Sequence, residues 1–174
     1  ADLAFLALPH KTSMSFAKEL LALDVKVVDL SADYRLELDT YEEHYCNHED
    51  KDNIAASVYG LPEYYKNEIA NAKLVANPGC YPTASLLGLL PFIEYIDTSA
   101  PIFIDAKSGV SGAGKNPSEA THFGQINENC HSYNPFKHRH MPEIKEKVKL
   151  LNNEEVSINF VPHLLPLTRG MLVS

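Results

Sequence analysis

The chain has 174 residues, a formal net charge of −8, and 22% charged against 45% hydrophobic residues. That is the make-up of an ordinary soluble globular protein with one good core or parts of two. The acidic balance argues against nucleic acid as a partner, and the longest apolar run, Ala84–Ile93, is too short to span a bilayer. The cysteines, Cys46, Cys80 and Cys130, are odd in number and widely spaced, which fits a reducing, cytoplasmic compartment better than a disulfide framework.

Taken in chain order, Leu3–Leu8 is a continuous apolar run, the pattern of a parallel strand covered on both faces. Pro9–Thr12 is a loop, and Ser13–Leu23 reads as a helix with Phe16, Leu20 and Leu23 on one face. Val25–Asp29 completes a β-α-β unit of a doubly wound sheet. Residues 39–68 read as a long connection with short helices, with Tyr59–Glu63 as a turn. Lys73–Ala76 is a short strand, and a helix begins at Pro82 and is interrupted at Pro91. Pro101–Ala106 is a strand, followed by a glycine-rich loop, Ser108–Lys115, and a polar stretch to residue 141. Pro142–Leu151 is a helix with Ile144, Val148 and Leu151 on one face. Val156–Phe160 alternates strictly, which predicts an antiparallel strand with one face open to solvent or a partner. The change of pattern near residue 77 predicts an α/β protein in two parts. Residues 1–76 are part of a Rossmann-like doubly wound parallel sheet, and 77–174 an α+β unit with a mixed sheet.

Four stretches can carry chemistry. Asn77-Pro78-Gly79-Cys80-Tyr81-Pro82 turns out of a strand and aims Cys80 at a helix N-terminus, where the dipole favours a thiolate nucleophile. A buried structural cysteine is the competing reading. Gly109–Lys115 comes close to a phosphate-binding P-loop, with Lys115 as its cation, but Asn116 stands where a Mg²⁺-binding hydroxyl is required. His138-Arg139-His140 with Glu143 supplies proton-transfer groups and a carboxylate to orient them. Cys130, His131, His138 and His140 offer a rival zinc site. Asp29–Arg35 ends a parallel strand, the edge where open α/β sheets bind ligands. There Ser31 could hydrogen-bond a dinucleotide and Arg35 could clamp a phosphate.

Together with Phe5–His10 and Phe160–Gly170, these stretches resemble, in order, the N-acetyl-γ-glutamyl-phosphate reductase family of arginine biosynthesis, within the wider aspartate-semialdehyde dehydrogenase group. The Asn-Pro-Gly-Cys-Tyr-Pro-Thr run is the most specific match. The resemblance favours the nucleophile for Cys80 and implies NADPH-dependent reduction of an acyl phosphate to a semialdehyde through a cysteine thioester. It implies that residues 1–76 belong to an NADP-binding domain and 77–174 to a catalytic and dimerisation domain. His140 would be the acid–base, His138 the substrate positioner and Glu143 their orienter. Arg35 and Lys115 would hold phosphate or carboxylate, and Ser31 and Gly112 would line the NADP(H) site. No metal is implied, and a homo-oligomer, dimer or tetramer, is. Tyr34, where the family more often has Phe, reads as harmless. Both ends read as interior to a longer protein, so the chain alone is expected to be inactive and to bind NADPH poorly.

Overall fold

The computed structural model describes residues 1–174 and divides into two compact units, Ala1–Cys80 and Tyr81–Ser174. The sequence pattern puts the change of architecture at residue 77. In the structure the turn Asn77–Gly79 and Cys80 stay with the first unit.

In the first unit, β1 (Leu3–Leu6), α1 (Ser13–Ala22) and β2 (Lys26–Asp29) form the β-α-β unit. Two short helices follow, α2 (Leu38–His44) and α3 (Lys51–Ile54). Then come β3 (Val58–Tyr59), α4 (Pro62–Asn71) and β4 (Leu74–Ala76). The sheet order is β1-β2-β4-β3 and every pairing is parallel. The expected turn at Tyr59–Glu63 narrows to Gly60–Leu61, between the edge strand β3 that ends at Tyr59 and α4, which Pro62 opens at a position where a proline costs no hydrogen bond.

β1 lies at one end of the sheet order, and Phe5 is 68% exposed. The helix α1 turns Ser13, Met14 and Ala17 inward, while Phe16 and Leu23 are exposed. Small residues face the sheet there, which lets the helix lie close to it. Met14, Ala17, Val27, Tyr34, Tyr41 and Leu74 belong to the buried cluster that results.

The second unit opens with the helix α5 (Cys80–Leu89), whose first residue ends the first unit, and a 3-10 turn over Leu90–Tyr95 where Pro91 falls. The strand β5 (Ile102–Ser108) leads into the glycine loop. α6 (Phe123–Ile126), β6 (His131–Ser132), α7 (Met141–Asn152), β7 (Ile158–Leu164) and β8 (Met171–Val173) complete it. The order is β6-β7-β5-β8. β7 alternates in burial as its sequence predicts, but it pairs in parallel with β5 and antiparallel only with the short β6. The intervening α7 is a crossover helix, and a crossover returns the chain in the same direction. The sheet is nonetheless mixed, because β8 runs antiparallel to β5. Ile144 and Val148 of α7 and Phe160 of β7 are fully buried.

Candidate active site

In the first unit the chemistry gathers at the carboxyl edge of the parallel sheet, where the strands point three loops outward. Asp29, the last residue of β2, is fully buried and accepts hydrogen bonds from the Ser13 hydroxyl, the Ser31 hydroxyl (2.6 Å) and the Ser31 amide (3.1 Å). The Ser31 oxygen in turn accepts from the Asp33 amide at 3.0 Å. Asp33 accepts from the amides of Lys11 and Met14 at 3.0 Å and from the Tyr41 hydroxyl at 2.8 Å. It therefore caps α1 from a distant loop, in place of Thr12, whose side chain makes no cap. Tyr34 donates to Asp50 at 2.7 Å, so its hydroxyl is a structural donor, not an idle replacement for Phe. Burial first, and then the neighbouring carboxylates, push the Tyr34 and Tyr41 hydroxyls far above the ordinary tyrosine range, so both remain donors. None of this network was legible as such; the Asp-x-Ser-x-Asp spacing was its only signal.

Arg35, 5% exposed, donates from Nη2 to the Leu30 carbonyl and from Nε to the Asn77 carbonyl, each at 2.7 Å. The Asn77 amide donates to the Asp29 carbonyl at 2.8 Å. The exit of β2 thus holds the turn that delivers Cys80. Cys80 itself is exposed and is the first residue of α5. Cys130 is also exposed and Cys46 partly buried.

In the second unit Tyr81, the residue after Cys80, is 2% exposed and carries an aromatic cage. Its ring lies edge-on to His138 at 5.6 Å, to His140 at 6.1 Å and to Phe160 at 5.3 Å. The Tyr133 hydroxyl donates to the Tyr81 hydroxyl at 3.1 Å. The two histidine rings are 4.8 Å apart, and the His140 amide donates to His138 Nδ1 at 3.1 Å. The structure therefore brings His138 and His140 together. Burial first, and then the Arg139 charge, hold His138 down to about 4, so its ring is neutral at pH 7. Glu143, in the first turn of α7, is 1% exposed and lies on the same side of that helix as His140. Lys147, one turn further on, is buried beside Glu146 at 2.8 Å, an ion pair the sequence did not single out.

His138 opens onto a cleft of ≈ 600 Å³ that Lys137, Arg139, His131, Tyr133 and Gly112 also line. Lys115 is exposed and is not among its lining residues. A Cβ at Gly112 would sit 2.5 Å from Ser108 Oγ, so a larger residue there would require the Ser108 hydroxyl to rotate away.

The two rival readings fail on geometry. A P-loop needs free amides, but Gly109, Val110 and Ser111 donate to Gly170, Leu167 and Thr168 at 2.8–3.0 Å, and Gly112 and Gly114 donate within the loop. The zinc reading needs a gathered ligand set, and no group of three His, Cys, Asp or Glu is placed to hold a metal.

Residues 80–174 match the family model of the semialdehyde dehydrogenase dimerisation domain and residues 1–72 that of the semialdehyde dehydrogenase NAD binding domain. The chain belongs to the semialdehyde dehydrogenase family. Among its relatives is an N-acetyl-gamma-glutamyl-phosphate reductase of Sulfurovum sp. strain NBC37-1. It is 66% identical over 99% of this chain and 52% of the relative. Another, of the same name, from Wolinella succinogenes, is 61% identical over 99% of this chain and 51% of the relative. The chain thus spans about half the length of the curated relatives it matches. In fold it is similar to the crystal structure of aspartate semialdehyde dehydrogenase II from Vibrio cholerae. That likeness has a TM-score of 0.70 at 18% identity, over 99% of this chain and 54% of that one. No helix is long and apolar enough to cross a membrane.

Proposed function

We propose that this chain carries the nucleophile and the proton-transfer groups of an N-acetyl-γ-glutamyl-phosphate reductase, acting in arginine biosynthesis. The observation that carries the reading is Cys80, exposed at the first residue of a ten-residue helix. There the helix dipole favours an anionic sulfur. The thiolate attacks the acyl carbon, a C–S bond forms, the C–O bond to phosphorus breaks, and phosphate leaves with the electron pair. NADPH, when bound, supplies the hydride that reduces the thioester. Collapse of the resulting hemithioacetal breaks the C–S bond, releases the semialdehyde and returns the thiolate.

His140 serves as the acid–base for the oxygen of that intermediate. His138, neutral and facing the cleft, positions substrate by hydrogen bonding, and Glu143 orients the pair from α7. Arg35 acts through the Asn77 carbonyl on the placement of Cys80. Lys115, exposed on its loop, is assigned to the phosphate.

For NADP(H), the carboxyl edge of the first sheet is the rim on which a dinucleotide fits. The Ser31 hydroxyl is engaged by Asp29 and Asp33, so Ser31 shapes that rim and does not offer its side chain. Gly112 is assigned to the NADP(H) site. At the start of α1 the Met14 amide is taken by Asp33 and the Ser13 amide by the Pro9 carbonyl.

A second copy of the chain is the expected partner. Phe103 (71% exposed) and Leu172 (61% exposed) lie on one open face of the second sheet.

Full-length protein supplied with N-acetyl-γ-glutamyl phosphate should oxidise NADPH and release phosphate in equal amounts, and Cys80→Ser should abolish both. Turnover by the Cys80→Ser protein contradicts the reading.

A further inference from the structure

His10, which ends the stretch Phe5–His10, takes no part in the chemistry above. It is half-buried in the loop after β1, at the carboxyl edge of the same parallel sheet whose β4 leads into the Cys80 turn. Its Nδ1 accepts the Ala32 amide at 2.9 Å. The ring also stands edge-on to Tyr45 at 5.6 Å, and Tyr45 stacks on the buried Tyr41 at 5.0 Å. Lys11, next in the chain, has a φ of +73°, a conformation that is costly for a residue with a Cβ and persists only where the surroundings impose it. Both oxygens of the Asp33 carboxylate take its amide at 3.0 Å. His10 and Lys11 thus grip Ala32 and Asp33 of the neighbouring loop.

From Ala32 the contacts run on to the nucleophile. The Ala32 carbonyl accepts the Arg35 amide at 3.3 Å, and Arg35 Nε donates to the Asn77 carbonyl at 2.7 Å, three residues before Cys80. Ala32, Asp33 and Arg35 are all buried, so a partner lost there is not replaced by bulk water.

We propose that His10 is a positioning residue for the Cys80 nucleophile, acting through the Ala32–Arg35 loop and the Asn77 carbonyl. This rests on the reductase reading for the use to which the thiol is put. The buried Ala32 amide needs an acceptor, and His10 Nδ1 is the one the structure gives it. Asp33 does not serve in its place, because its carboxylate already holds the amides of Lys11 and Met14 and the Tyr41 hydroxyl. Without Nδ1 the loop relaxes toward another partner and carries the Arg35 guanidinium with it. A hydrogen bond weakens steeply as it leaves its geometry, so the grip on Asn77 loosens and the sulfur is held less firmly at the start of α5.

The test is the rate at which iodoacetamide alkylates each cysteine of full-length protein, followed by peptide mass spectrometry. His10→Phe keeps a ring against Tyr45 and removes the acceptor, and His10→Leu removes both. Each should slow alkylation of Cys80 by about two- to tenfold, the worth of one neutral hydrogen bond. His10→Asn loses the ring but places Oδ1 where Nδ1 stood, and should restore most of the parent rate. Cys130, exposed in the second unit, is the control and should not change. In an Arg35→Lys background His10→Phe should slow Cys80 little further, because the two residues act along one path. An unchanged or faster Cys80 in both acceptor-free variants overturns the proposal. So do a His10→Asn rate as low as theirs, an equal slowing of Cys130, and a full additional effect on top of Arg35→Lys. Failure of the reductase reading shows elsewhere: the alkylation pattern would then hold while full-length protein failed to reduce the acyl phosphate.

Discussion

Arg35 donates its Nε–H to the carbonyl oxygen of Asn77 at 2.7 Å, three residues before Cys80. The same guanidinium holds the Leu30 carbonyl, so one side chain fixes the end of β2 to the turn that positions the nucleophile. Lysine has one donor centre and cannot reproduce that fork. Arg35→Lys should slow alkylation of Cys80 by iodoacetamide while leaving Cys130 unchanged, and should lower stability by about 1.5–3 kcal/mol, the worth of one charged hydrogen bond. Unchanged labelling of Cys80 would show that the turn holds its own shape.

The two histidines have different surroundings. His140 is 8% exposed, and His138 faces the cleft. In full-length protein His140→Asn should mainly lower kcat, and His138→Asn should raise KM at least as much as it lowers kcat. The opposite pattern would exchange their roles.

The burial of His138 also sets a pH dependence of stability. Its ring titrates at about 4 in the folded chain against an ordinary 6.5. Between those values the unfolded chain binds a proton that the folded one does not. Stability therefore falls as pH drops from about 6.5 to about 4 and is unaffected by this group above that window. Urea unfolding of His138→Gln across pH 4–7 should show a shallower fall than the parent chain. Parallel curves would mean that His138 titrates normally.

Asp33 joins two loops and the start of α1 through its carboxylate. Asn in its place presents an amide N–H₂ to donors that already point inward. Asp33→Asn should lower the unfolding free energy by about 3 kcal/mol or more, from the loss of charge-assisted bonds worth about 1.5–3 kcal/mol each. Tyr34→Phe should cost less, about 1 kcal/mol, because Asp50 keeps two contacts from Asn53 Nδ2. Urea midpoints of the two variants measure both, and equal losses would mean that the α1 cap carries no special weight.

The elements that could be read from the sequence are those with a strong local signal. Lys73–Ala76 and Pro101–Ala106 are short apolar runs bounded by turn residues, and both are strands. The Asn-Pro-Gly turn before Cys80 states its own geometry. The inner face of α1 is not marked by apolarity, because Ser13 and Ala17 are buried there while Phe16 and Leu23 face outward. The direction of β7 was misread because alternation reports which face is buried, not which way the neighbour runs. The Asp29–Asp33–Asp50 network and the Arg35 bridge join residues far apart in the chain, and no local pattern encodes such pairing.

The central claim is that Cys80 becomes acylated. Mixing full-length protein with N-acetyl-γ-glutamyl phosphate in the absence of NADPH, and mapping the product by mass spectrometry, tests it directly. The account predicts an N-acetylglutamyl thioester on Cys80 alone, formed with an equal amount of released phosphate and absent from Cys80→Ser. An adduct on Cys46 or Cys130, or phosphate release that survives Cys80→Ser, would contradict it.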